Sequence, residues 1–267
     1  MPTLMTIIHF IIALNLLGAA LAGAVHTKLP RKVPNLSFFY FGWSLTGQAF
    51  AGPIAIMTLV SLYFVASGIT PSFLIVIINI VTLMLIAIIL VRSWLASVTL
   101  AQIDSDTPRP SFLRFVLGIV FPMRLRPRIV QKVKNISYGS NGRKNQLDIY
   151  SLREPPSTPR PVLINVHGGG WVLGRKGFQA RPLIHHMASQ GWLVVDINYR
   201  LGPWNRMPAM VQDVLRSVAW VKENIGTYHG DPNFVALTGG SAGGHLVALA
   251  GLAHDVKALK PGFEESD

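Results

Sequence analysis

The sequence predicts a chain in two parts: an α-helical membrane-spanning region at the N-terminus, then an α/β domain in which helices flank a parallel sheet. Three observations carry this. Half of the 267 residues are hydrophobic and only 13% are charged, far below the roughly 25% charged of soluble domains. No charged residue occurs from Val33 to Val91. From Asn135 onward the texture changes, and short β-branched runs alternate with amphipathic ones between Gly and Pro punctuation, the signature of strands alternating with helices.

The apolar region accommodates three spans, since about 20 apolar residues at about 1.5 Å of rise cross the roughly 30 Å of a bilayer core. The spacing predicts them at Leu4–Val25, Leu45–Ala66 and Ser72–Val91. Ser67-Gly68-Ile69-Thr70-Pro71 is a breaker-rich turn joining the last two as a hairpin. The third is apolar on every face, as lipid-embedded helices are. The first lacks the positive flank that opens a signal peptide, because Lys28, Arg31 and Lys32 follow the apolar run.

Charge is distributed unevenly. Residues 1–134 hold 11 Lys and Arg against two Asp, and residues 135–267 hold 13 against 10 Asp and Glu, within a net charge of +12. The excess flanks the apolar runs, at Lys28, Arg31 and Lys32 and again from Arg92 to Lys134. Such juxtamembrane cations favour anionic headgroups, so the basic balance points to membrane lipids and not to nucleic acid. By the positive-inside rule both basic loops face the cytoplasm. The N-terminus is then outside, and the α/β domain of an integral cell-membrane protein is inside. Cysteine is absent, which offers no disulfide framework.

These signals divide the chain into transmembrane helices over 1–95, a basic juxtamembrane linker over 96–134 and the α/β domain over 135–267. Within the linker, the 11 residues from Ser111 to Phe121 lie between Pro110 and Pro122. They are too short to span, and read equally as a buried helix or one lying on the bilayer.

In the α/β domain, Lys134–Tyr138 and Asn145–Tyr150 alternate about Gly139, Asn141 and Gly142, predicting a β-hairpin. Val162–His167, Leu193–Ile197 and Phe234–Thr238 predict buried strands. Helices are expected over about 180–189 and over 208–225, the latter opened by Pro208.

Two motifs carry chemistry. Gly239-Gly240-Ser241-Ala242-Gly243-Gly244-His245 follows the third strand directly. Its G-x-S-x-G pattern between strand and helix is the sharp turn that presents a nucleophilic serine in α/β-hydrolases. A hydroxyl attacks only where a base can take its proton, and the strained turn tolerates only very small neighbours. A phosphate-binding loop is excluded, because the lysine it needs is absent. Upstream, His167-Gly168-Gly169-Gly170-Trp171 ends a strand, and glycines there let backbone amides approach a substrate carbonyl as an oxyanion hole.

The HGGGW run, the run Asn198-Tyr199-Arg200-Leu201-Gly202-Pro203 and the GGSAGGH elbow together resemble the hormone-sensitive-lipase-like branch of α/β-hydrolases. The likeness is strongest to its small esterases, including membrane-anchored bacterial carboxylesterases, and covers residues 135–267. It implies a partial α/β-hydrolase fold and a carboxylic ester hydrolase acting on a small-molecule or lipid ester. Ser241 would be the nucleophile, and the amides of Gly169, Gly170 and Ala242 the oxyanion hole. His167, Gly168, Gly239 and Gly243 would support the two loops. No metal or cofactor is implied. An amidase or formamidase would use the same serine chemistry.

The sequence departs from the family at Gly240, where many relatives carry an acid, and at Gly202–Pro208, which replaces the usual wording before the helix. The larger departure is that only 26 residues follow Ser241, whereas the family supplies its acid and histidine much later. His245 and His254 lie on the helix leaving the elbow. Asp255, Glu264, Glu265 and Asp267 have no intervening strand to return them. His185-His186 lacks metal-ligand spacing and suits helix packing, and Asp196 and Asp213 suit loop orientation and capping. The expectation is therefore an N-terminal part of a serine esterase, inactive as these 267 residues. The alternative is a non-catalytic membrane protein remnant.

Overall fold

A computed structural model describes residues 4–24, 51–69, 72–103, 111–113, 115–116, 126–253, 255–260 and 262. The chain divides into two compact units, Met1–Met123 and Arg124–Asp267.

The first unit holds helices α1 (Leu4–Ala24), α2 (Ala51–Ala66) and α3 (Phe73–Ile103). Of these, α1 through Leu21 and α3 are long and apolar enough to cross a membrane. Where a second span is expected at Leu45–Ala66, the described residues form α2, whose 16 residues rise only about 24 Å and fall short of a bilayer core; residues 45–50 of that expectation lie outside the described set. The third helix does not stop at Val91 but continues through Arg92 to Ile103, past the expected domain limit at 95, because nothing between Ser93 and Ile103 breaks a helix. Its Trp94 receives Phe112 and Phe115 edge-on at 5.7 and 5.3 Å, so the described part of the 111–121 segment packs against α3.

Leu16, Ala19 and Ala20 pack with Ala51, Ile54, Ile86 and Ile89, and Ala13 packs with Ile75 and Ile78. Most other large apolar side chains of these helices face outward. Besides Thr58 and Thr82, which bond their own helix backbones, a polar cluster interrupts the interior. Asn79 Nδ2 donates to Ser61 Oγ at 2.7 Å, and Ser61 Oγ also pairs with His9 Nε2. All three residues are buried.

The second unit contains strands β1 (Val130–Ser137), β2 (Gln146–Leu152), β3 (Arg160–Val166), β4 (Leu193–Ile197) and β5 (Gly230–Gly239). Its helices are α4 (Arg181–Ser189), α5 (Ala209–Asn224) and α6 (Ala242–Leu252). The expected hairpin forms as β1 and β2, antiparallel with a bulge between Val133 and Ile136, and begins five residues before Asn135. Sheet order is β1-β2-β4-β3-β5. β4, β3 and β5 are parallel, whereas β2 meets β4 antiparallel, so the expected parallel sheet is mixed.

Side chains alternate across the sheet, as the two-residue strand period requires. Leu147, Ile149, Val162, Ile164, Val166, Val195 and Ile197 pack in one cluster with Val211, Val214 and Leu215 of α5 and Leu246 of α6. Tyr150, Leu163 and Val194 face the other way, onto Ile184 and Ala188 of α4. Expected as a buried strand, β5 is half-exposed, with Phe234 55% accessible, because it pairs only with β3 and its other edge is unpaired among the described residues.

Candidate active site

Parallel α/β sheets place their sites beyond the carboxyl ends of the strands. Here the loops leaving β4, β3 and β5 are neighbours at that end, with the His167–Gln179 loop in the middle and the serine turn beside it.

Ser241 sits between β5 and α6 with φ 52° and ψ −121°. These are the dihedrals of the first central position of a type II′ turn, which glycine normally takes. The Gly243 amide donates to the Gly240 carbonyl at 2.9 Å, closing that turn around Ser241 and Ala242. Holding an L-residue there costs roughly 1–3 kcal/mol and persists only where surroundings over-determine it. Gly243 is the main constraint: a Cβ on it would stand 2.1 Å from the Val166 carbonyl oxygen, so the turn can nest against β3 only without a side chain. Ser241 is exposed and its hydroxyl makes no hydrogen bond among the described residues.

The glycine loop answers it. Gly168 lies against the elbow so closely that a Cβ there would meet the Gly240 oxygen at 2.6 Å. Gly169 has φ +127° and would drive a Cβ to 2.0 Å from the Leu173 oxygen, because Val172 and Leu173 both donate to the Gly169 carbonyl. The amides of Gly169, Gly170 and Ala242 donate to no group among the described residues.

His167 is buried beneath this loop. Its ring stacks on Tyr199 at 4.4 Å, its Nδ1 donates to the Gly168 carbonyl at 2.8 Å, and its own carbonyl accepts from the Tyr199 hydroxyl at 2.9 Å. Burial holds its imidazole below the ordinary value, and the bond to Gly168 opposes this only in part. A ring so engaged braces the loop. His245 is exposed and turns its ring edge-on to Trp171 at 5.3 Å. His254, Glu264, Glu265 and Asp267 lie outside the described residues. His185 is buried against Tyr150 at 6.0 Å.

Asp213 grips Arg200 through both oxygens and also accepts the Arg200 backbone amide at 2.8 Å. That clamp fixes the segment after β4, whose Gly202 amide in turn donates to the Trp171 carbonyl at 2.8 Å. Asp196 accepts from Asn165 Nδ2 at 2.7 Å and from the Gly177 amide. The sequence indicated only that both aspartates orient loops; which loops depended on cross-strand register.

A strained serine turn at the end of a parallel strand, facing a glycine loop at the end of the next, defines the α/β-hydrolase class. Residues 147–266, a little under half of the chain, match the BD-FAE family model. The chain is similar to two Mycobacterium tuberculosis proteins. One is esterase LipQ, 48% identical over 167 residues, which are 61% of this chain and 38% of LipQ. The other is the probable carboxylic ester hydrolase LipM, 50% identical over 134 residues, which are 50% of this chain and 31% of LipM. It is also similar to a probable isoprenylcysteine alpha-carbonyl methylesterase of Oryza sativa, 39% identical over 127 residues, 48% of this chain and 30% of that one. The chain thus spans about a third of the length of these relatives.

Proposed function

We propose that the chain carries the nucleophilic half of a membrane-anchored serine carboxylesterase. The observation that supports this most directly is the II′ conformation of Ser241 beside the Gly168–Gly170 loop. In this reading Ser241 Oγ attacks the ester carbonyl, and the amides of Gly169, Gly170 and Ala242 receive the oxyanion. The alcohol leaves with a proton, and water then cleaves the acyl-serine. Oxyanion donors pre-aimed at developing charge are each worth about 3–4 kcal/mol.

Trp171, Val172 and Leu173, all exposed, favour an ester with an apolar acyl or alcohol group, either a small molecule or a lipid. No described histidine or carboxylate hydrogen-bonds Ser241, so among the described residues only solvent is left to take its proton, and acylation of Ser241 by these residues alone is slow beside that of a complete triad. The apolar α1 and α3 would hold the hydrolase unit at a membrane, on its cytoplasmic side by the charge rule. The domain divisions at 95 and 134 remain part of this proposal, with the juxtamembrane segment as tether.

The test compares the full chain with Ser241→Ala on p-nitrophenyl butyrate. The reading expects the ester-dependent rate above background to vanish in the variant, and equal rates would remove Ser241 from the chemistry. Orientation is tested separately by reporter fusions after Lys134, expected to be active only in the cytoplasm.

A further inference from the structure

A buried row of polar side chains runs across the sheet on the α4 side, just below the carboxyl ends of β3 and β4. Asp148 of β2 stands opposite Asp196 of β4, and Asp196 stands opposite Asn165 of β3. Asp148 and Asn165 are 2% accessible and Asp196 is 0%. A central strand has no folding reason to carry a carboxylate there, since burying one costs several kcal/mol unless it is fully hydrogen-bonded. What the row does is hold the far limb of the glycine loop. Asp196 accepts the Gly177 amide, Asp148 accepts Lys176 Nζ at 2.5 Å, and Asn198 Oδ1 accepts the Lys176 amide at 2.8 Å. Asp148 is itself secured by Lys132 at 2.6 Å and by the Asn135 amide at 2.9 Å. The near limb is fixed where the Gly168 amide donates to Gln179 Oε1 at 2.8 Å.

We propose that Asp196 is a positioning residue for the oxyanion loop: by gripping Gly177 from beneath, it closes the loop's far limb so that Gly168 stays against Gly240 of the serine turn and the Gly169 and Gly170 amides that follow it keep their aim. This rests on the esterase reading for its purpose, although the mechanical claim stands apart from it. Gly169 and Gly170 have positive φ and no hydrogen-bonded amide of their own, so the loop's shape is set by its anchors. Asp196 is the one at the sheet's centre. It acts through the loop and touches no reacting atom.

The full chain in detergent micelles, with Asp196→Val and Asp196→Asn, tests this through amide hydrogen exchange and phosphonylation by a p-nitrophenyl alkylphosphonate. Valine suits a buried strand but offers Gly177 no acceptor. Asparagine keeps a carbonyl for Gly177 and can pair with a flipped Asn165 amide. The expectation for Asp196→Val is at least ten-fold faster exchange of amides within 168–177, with β3 and β4 unchanged. The maximal phosphonylation rate of Ser241 should fall at least ten-fold with little change in the half-saturating concentration. Asp196→Asn should restore both to within about three-fold. Unchanged loop exchange in Asp196→Val, or loosening of the loop in Asp196→Asn as well, overturns the proposal. Asp196→Ala replaces the valine variant if that chain does not fold. Wild-type protein that exchanges as expected but takes no phosphonate on Ser241 refutes the esterase reading and leaves the anchor standing.

Discussion

Ser241 occupies a conformation that its own chemistry disfavours, and the residues around it show what enforces it. The turn closes only because Gly243 can press its Cα into the Val166 carbonyl. Gly243→Ala should therefore cost the hydrolase unit about 1–3 kcal/mol or more, as overpacking against backbone does, read as a lower urea midpoint. Gly240→Ala is the control. A Cβ there meets nothing within 4 Å and its φ is not positive, so its midpoint should stay within about 0.5 kcal/mol of wild type. Equal losses in the two would mean that nesting against β3 does not shape the turn. The open space around Gly240 shows that this position accepts a side chain. These glycines were legible in the sequence as small residues flanking a serine. Which of them is indispensable was not, because that depends on the carbonyl of a strand 77 residues away in the chain.

At the scale of elements, two polar clamps tie segments together. Arg200 and Asp213 join the loop after β4 to α5, and Asp213 is wholly buried. Arg200→Leu strands that carboxylate and should cost about 3–5 kcal/mol in the denaturant unfolding of the second unit; a loss under 1 kcal/mol would show the clamp to be ornamental. In the first unit, Ser61 is the shared partner of His9 and Asn79. Ser61→Ala leaves Asn79 Nδ2 unpaired among apolar helices and should weaken the bundle by about 0.6–2 kcal/mol, measured by SDS-induced unfolding in micelles. Asn79→Leu should cost less, because it removes Asn79 Oδ1, a buried acceptor without a partner among the described residues, and leaves Ser61 still paired with His9, so that no buried polar group is newly orphaned. Strands, helices and the hairpin were legible from periodicity and glycine punctuation, within a few residues at their ends. The antiparallel β2–β4 pairing and the edge position of β5 were not, since both are matters of sheet order. The length of α3 was missed because the apolar run ends at Val91 while the helix, unopposed by any breaker, continues.

For the whole molecule, the polar interior of the second unit sets how stability responds to pH. Asp196 is pushed up to about 6, chiefly by burial, against the hydrogen bonds from Asn165 and Gly177. With its folded value above its unfolded one, its contribution is full below about pH 4 and is lost as pH rises through about 6, on the order of 2–3 kcal/mol. Asp148 runs the other way. Burial would raise it, but the hydrogen bonds from Lys132, Lys176 and the Asn135 amide prevail and lower it, so its contribution holds above about pH 4 and is lost on acidification. His167 and His185 are both lowered chiefly by burial, and their contributions hold above about pH 6.5 and fall away in acid. The difference between wild type and Asp196→Asn isolates the one opposing group. The variant should gain on wild type in thermal midpoint between pH 4.5 and pH 7.5, and a constant offset would contradict the assignment. None of this was readable from sequence, where Asp196 and Asp148 are two acids 48 positions apart with no sign that they face each other.

The central claim is that Ser241 is the nucleophile of this chain, and it is tested most directly by the site of covalent capture. The 267-residue chain in micelles, treated with a p-nitrophenyl alkylphosphonate and digested, should carry one phosphonyl adduct, on the peptide holding Ser241, and Ser241→Ala should carry none. An adduct elsewhere that survives in Ser241→Ala, or no adduct on folded wild-type protein, would contradict it.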